Sequence, residues 1–147
     1  MAVESRPRVT LTTMTNRAEK GARIKKRIMI VDDEAAFTRM MKLVLEKSGL
    51  YEVVGENRAT QAFATARAYQ PDLILLDVVM PEMDGGDVAA QLKADPTLKH
   101  IPIIFLTALV SEKEVLGGAL TRTGHRFLGK LVKDTDLLAC IEQSLAL

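Results

Sequence analysis

Leu73-Ile74-Leu75-Leu76-Asp77-Val78-Val79-Met80-Pro81-Glu82-Met83-Asp84-Gly85 is the stretch that decides the fold. Four consecutive apolar residues without polar alternation predict a strand buried on both faces. The run ends in a carboxylate, and Pro81 and Gly85 predict a turn just behind it. Asp77 is therefore expected as a half-exposed nucleophile at the carboxyl tip of a rigid strand. Three other runs end in polar groups. Ile28–Val31 leads into Asp32-Asp33-Glu34, Ile103–Leu106 into Thr107, and Phe127-Leu128-Gly129 into Lys130. Parallel neighbours in one sheet would bring the acid pair, acid, hydroxyl and amine to a single edge. In open α/β sheets that edge is where ligands bind.

The segments between these runs fit the same plan. Phe37, Met40, Met41, Val44 and Leu45 recur at helical spacing, and Gly49 is placed to end that helix. Tyr51–Gly55 reads as a strand. Helices are expected over Thr60 to Tyr69, Gly85 to Ala94, Glu112 to Leu120 and Lys133 to Leu147. The helix over Glu112 to Leu120 is weak, because Gly117 and Gly118 each cost about 1 kcal/mol relative to Ala. Five strands alternating with five helices predict an α/β fold with a doubly wound parallel sheet.

Composition bounds the rest. The length of 147 residues suits one domain with a tail. Trp is absent and aromatic residues are few, so the core should be aliphatic. Cys140 is the only cysteine, which excludes an intrachain disulfide and suits a reducing, cytoplasmic setting; it reads as a small core residue. The longest mostly apolar stretch, Ile101 to Val110, is half the roughly 20 residues that a membrane helix needs. Residues 1–27 carry eight basic groups against two acidic ones, a net +6, and the remainder carries 12 basic against 17 acidic, a net −5. Residues 1–25 show no sustained period and are expected to form a disordered basic extension, followed by a folded domain over 26–147. The extension reads first as a solvated tail, then as an anion or nucleic-acid contact, then as sequence upstream of a start at Met14, and last as a transit peptide. No aromatic residue interleaves its charges, so base stacking lacks support and nucleic acid is not expected as a partner.

Asp32-Asp33, Asp77 with its Met80-Pro81 and Asp84-Gly85 turn, Thr107-Ala108 and Lys130, in this order and in these elements, resemble the receiver domain of bacterial two-component response regulators. The likeness is to the single-domain chemotaxis type and covers all but the N-terminal arm. It implies a flavodoxin-like fold with strand order 2-1-3-4-5. It implies that Asp77 is the phosphoacceptor, that Asp33 is a direct Mg2+ ligand, and that Asp32 contacts the ion through water. The backbone carbonyl of Val79 would be a further metal ligand alongside Asp77. Thr107 and Lys130 would contact the phosphoryl group, and Phe127, with Thr107, would be a switch residue. The implied partners are a sensor histidine kinase or phosphotransfer protein and a downstream protein target, with the chain a monomer or a phosphorylation-dependent dimer.

The chemistry suits these residue types. An ionised aspartate is already a nucleophile and can form an aspartyl phosphate. Clustered carboxylates raise one another's proton affinity unless a cation is present. Mg2+ prefers oxygen ligands and keeps waters, which suits a few carboxylates plus a phosphate. Taken alone, Asp32 and Asp33 could cap a helix beginning at Glu34; the other strand-tip groups weigh against that reading. His100 and His125 fall outside the cluster and are expected on the surface.

Two positions depart from the family pattern. Leu131 replaces the proline that usually follows the lysine, so a trans Lys130–Leu131 bond is expected. Phe127 lacks the hydroxyl of the frequent tyrosine, so a rotamer switch there would act by packing alone. The fourth helix, fifth strand and fifth helix are expected to form the output face. Only 17 residues follow Lys130, so a stand-alone phosphoacceptor switch, not an enzyme, is the leading expectation. The alternative is a phosphorylation-independent adapter on the same fold. A phosphohydrolase with an aspartate nucleophile expects a second aspartate where Val79 stands, and none is present.

Overall fold

The computed structural model describes residues 24–108 and 126–146. All but the last two residues of the expected extension over 1–25, the expected helix over Glu112 to Leu120, and His125 lie outside these residues. Five strands are described: β1 (Lys26–Val31), β2 (Tyr51–Glu56), β3 (Leu73–Asp77), β4 (Ile103–Thr107) and β5 (Arg126–Gly129). They form one parallel sheet in the order β2-β1-β3-β4-β5. Four α-helices are described, against five expected: α1 (Ala35–Glu46), α2 (Ala62–Tyr69), α3 (Gly85–Lys93) and α4 (Asp134–Leu145), with a 3-10 turn over Ala59–Gln61. The difference falls at the Glu112 to Leu120 segment.

The continuously apolar strands are enclosed on both faces, as their sequences predict. Successive residues point to opposite faces, so each strand feeds two cores. Ile28, Ile30, Leu73, Leu75, Ile104, Leu106 and Leu128 pack with Met41 and Leu45 of α1 and Leu137, Cys140 and Ile141 of α4. Met29, Val31, Ile74, Leu76, Ile103 and Phe105 pack with Ala62 and Ala66 of α2 and Val88 and Leu92 of α3. Cys140 is a buried core residue, as its sequence context suggested. Fully burying one such aliphatic side chain contributes roughly 1.5–3 kcal/mol.

Two details of α1 differ from its apolar periodicity. Met40 is half exposed, while Thr38 is buried. The helix ends as expected: Gly49 has φ +81, the left-handed conformation that glycine adopts without steric cost. The register positions the strand ends. Val31 pairs with Leu76, Asp77 with Leu106, and Thr107 with Gly129. Asp32, Asp77, Thr107 and Lys130 therefore leave the sheet at the same edge.

Candidate functional site

Asp32 follows the last residue of β1 and is fully enclosed, whereas Asp33 is exposed. Asp32 Oδ1 accepts the Glu34 N–H at 2.9 Å, which ties the acid pair to the start of α1. The Asp32 backbone is held from the other side. The Asn57 carboxamide donates to Asp32 O at 2.8 Å and to Thr38 Oγ1 at 3.0 Å, and Thr38 Oγ1 donates to Ala35 O at 3.0 Å. This network explains why a polar Thr38 occupies a buried helical position: buried polar groups need partners. The sequence reading missed Asn57, and a threonine on an apolar helical face was the signal available.

Asp77 ends β3 and is nearly enclosed, not half exposed as a bare strand tip would be, because β1 and β4 flank β3 on both sides. Behind it the chain turns tightly. Met83 N–H donates to Pro81 O at 2.7 Å across Glu82, whose φ is +72, and Gly85 N–H donates to Val78 O at 2.8 Å. A Cβ on Gly85 would sit 2.4 Å from the Asp77 carbonyl oxygen. Only glycine lets the start of α3 lie this close to the strand that carries Asp77. Asp84 then caps α3, its Oδ1 accepting the Asp87 N–H at 2.9 Å.

Lys130 reaches into the same place from β5. Its backbone N–H donates to Thr107 O at 3.0 Å. Its Nζ lies 2.8 Å from Asp32 Oδ2, 2.8 Å from Glu34 Oε1 and 3.6 Å from Asp77 Oδ2. The Phe37 ring centroid is 4.8 Å from the same nitrogen. Asp32 Oδ2 is buried, and Lys130 Nζ is its ion-pair partner. Among the described residues no peptide bond is cis, Lys130–Leu131 included. Leu131 is almost fully exposed, at 99 %.

An open cavity of about 370 Å³ is lined by Asp33, Glu34, Asp77, Val79, Thr107, Ala108 and Lys130. The structure thus brings together every acid, hydroxyl and amine expected at the site, and adds Glu34. Val79 lines the cavity, and its backbone N–H opposes the rise in the Asp77 carboxyl's pKa. Phe127 stands one strand away, its ring stacked on Phe105 with centroids 4.9 Å apart and planes at 29°. His100 is exposed, as expected.

The electrostatics follow from crowding acids in an enclosed space. Burial, then the charge of Asp32, pushes the Asp77 carboxyl up to about 6, against the opposing pull of Lys130. Burial also raises Asp32, although the Lys130 ammonium and the Glu34 N–H work against it. Burial alone would depress the Lys130 ammonium; the pairing with Asp32 and Glu34 outweighs it and holds its pKa raised. One lysine therefore faces several carboxylates and leaves an excess of negative charge. Asp32, Asp33 and Asp77 each offer an oxygen, all within 4.8 Å of one another. This all-oxygen donor set, with more carboxylates than one lysine neutralises, fits a hard divalent cation such as Mg2+.

Comparison with known proteins agrees with the geometry. Residues 28–142 match the family model described as the response regulator receiver domain. The chain is 41 % identical over 113 residues to the response regulator PleD of Caulobacter vibrioides, covering 77 % of this chain and 24 % of PleD. It is 40 % identical over 83 residues to the polar-differentiation response regulator DivK of Brucella anthropi, covering 56 % of this chain and 67 % of DivK. Among solved structures, the signal receiver domain of a signal transduction histidine kinase from Syntrophus aciditrophicus superposes with a TM-score of 0.68 at 33 % identity, over 82 % of this chain and 90 % of that one. The chain thus spans about a quarter of the length of PleD.

Proposed function

Because this chain belongs to the response regulator receiver domain family, we propose that it is a stand-alone phosphoacceptor switch that takes a phosphoryl group on Asp77. The observation that carries this reading is the convergence of Asp32 and Asp77 within 3.6 Å of the Lys130 nitrogen, beside Asp33 and Thr107 at one cavity. The donor is a sensor histidine kinase or a phosphotransfer protein.

An Asp77 carboxylate oxygen attacks phosphorus, the new C–O–P linkage forms, and the bond to the donor nitrogen breaks with its electron pair leaving on the donor. Such a transfer asks mainly for positioning and charge neutralisation. Asp32, Asp33, Asp77 and the Val79 carbonyl would hold Mg2+, which when bound supplies positive charge beside the carboxylates and the phosphoryl oxygens. Lys130 brings its ammonium to a phosphoryl oxygen, and Thr107 offers a hydroxyl at the adjacent strand tip. Nothing here is turned over: the protein is the acceptor and not an enzyme, with slow self-dephosphorylation.

The modified aspartate carries about two negative charges where one stood. The output reading is a changed face formed by the expected helix over 112–120, β5 and α4, with Thr107 and Phe127 as the switch pair and a separate protein as the target. That an 83-residue match spans two thirds of DivK supports a receiver acting without a large second domain. No described helix is long and apolar enough to cross a membrane, which is compatible with a cytoplasmic setting. The test is incubation with Mg2+ and a small phosphodonor. A mass gain of one phosphoryl group that is lost in Asp77→Asn is expected; a gain retained in that variant would refute Asp77 as the acceptor.

A further inference from the structure

Glu34 breaks a local rule. It occupies the N-cap position of α1, where Ser, Thr, Asp and Asn are favoured, and its side chain makes no capping hydrogen bond. Instead Glu34 Oε1 accepts from Lys130 Nζ at 2.8 Å, across 96 residues of sequence. Phe37, three residues on and on the same helix face, places its ring 4.8 Å from that nitrogen. The first turn of α1 thus offers the ammonium a carboxylate and an aromatic face, the two surfaces that attract a cation. A residue that gives up a local role for a distant contact marks a functional position more often than a structural one.

The contact also fixes where the lysine rests. Lys130 Nζ sits at 2.8 Å from both Glu34 and Asp32, but at 3.6 Å from Asp77, the group it must serve. The loop after it holds the backbone, with Val132 N–H donating to Gly129 O at 3.1 Å, but Leu131 carries no proline ring and projects into solvent. The side chain of Lys130 is therefore anchored by Asp32 on one side and by Glu34 and Phe37, at the start of α1, on the other.

We propose that Glu34, with Phe37 beside it, is a positioning residue that parks Lys130 in the resting state and sets how readily the ammonium transfers to a phosphoryl oxygen. This rests on the reading of Lys130 as a phosphoryl contact. Glu34 is exposed on the side away from the lysine, so exchanging it leaves the core untouched.

Titration of the full-length protein with beryllofluoride, a phosphoryl mimic, at saturating Mg2+ tests the idea by calorimetry. Glu34→Gln keeps the shape and removes the charge. It is expected to tighten binding by about two- to fivefold, the modest scale of an ion pair with one exposed partner. The same exchange in a Lys130→Gln background is expected to change nothing, because no ammonium is left to release. Phe37→Leu, which keeps an apolar side chain, should shift affinity in the same direction by less. An unchanged affinity in Glu34→Gln overturns the proposal. So does an equal gain with and without Lys130, which would make Glu34 a simple repulsive charge. Unchanged binding in Lys130→Gln alone would instead remove Lys130 from the phosphoryl site, and the proposal with it.

Discussion

The acid half and the amine half of the site are held in opposite ways. Asp32 and Asp77 leave β1 and β3, each flanked by a strand on both sides, and both carboxylates are buried. Their positions are set by backbone hydrogen bonds, by the Asn57 clamp and by two packed cores. Lys130 leaves β5, whose only described neighbour is β4, and its head is fixed by side-chain contacts with Asp32, Glu34 and Phe37. A rigid acidic floor thus faces a cation on a restrained but movable arm. The buried acids sit on the central strands, and the ammonium sits near the edge.

Core truncation should expose this contrast most strongly. Leu75→Ala removes a fully enclosed side chain from β3 and is expected to cost about 2–5 kcal/mol in urea unfolding; Leu128→Ala on β5 should fall at the low end of that range, because a site near an edge relaxes more easily. Equal losses would break the distinction between centre and edge. Gly85→Ala forces a methyl against the Asp77 carbonyl oxygen and should cost about 1–3 kcal/mol by the same measurement. A neutral result would mean that the turn behind Asp77 is looser than the acidic floor requires.

Acidity offers a third test. Asp77 is raised from an ordinary 3.8 to about 6, so its folded form binds the proton more tightly than the unfolded chain. Its contribution is fully present below the unfolded value and is lost as pH rises through about 6. Without Mg2+, stability should therefore fall by about 1–3 kcal/mol between pH 4 and about 6. Asp77→Asn should flatten that slope, and Mg2+ should reverse it by stabilising the ionised form. A slope identical in Asp77→Asn would show that another group carries it. The smallest effect is expected at Leu131→Ala, within about 0.5 kcal/mol, because the side chain touches almost nothing. A larger loss would mean that the loop, and not α1, anchors the lysine arm.

The sequence made the central strands and their tips plain. Runs such as Leu73–Leu76 and Ile103–Leu106 admit one reading, and parallel order brings their terminal polar groups together. The trans bond before Leu131 also followed from the missing proline. What stayed hidden depended on contacts between distant segments. Glu34 looked like the start of a helix, and nothing local pointed to Lys130. Asn57 drew no reading from the sequence, and its amide holds Asp32 O across 25 residues. Met40 fitted the apolar stripe of α1 but lies half exposed, while Thr38 turned inward because Asn57 offers it a partner. Asp77 was expected half open, and the closeness of both flanking strands encloses it.

The stacked pair Phe105 and Phe127 has a practical consequence in a chain without tryptophan. Each ring lies in the magnetic shadow of the other, so their proton resonances should be displaced from ordinary phenylalanine values. Any rotation of Phe127 out of the stack would bring the Phe105 signals back toward those values. The protein thus carries its own spectroscopic gauge, one that needs no label and reads ring orientation at β5 directly.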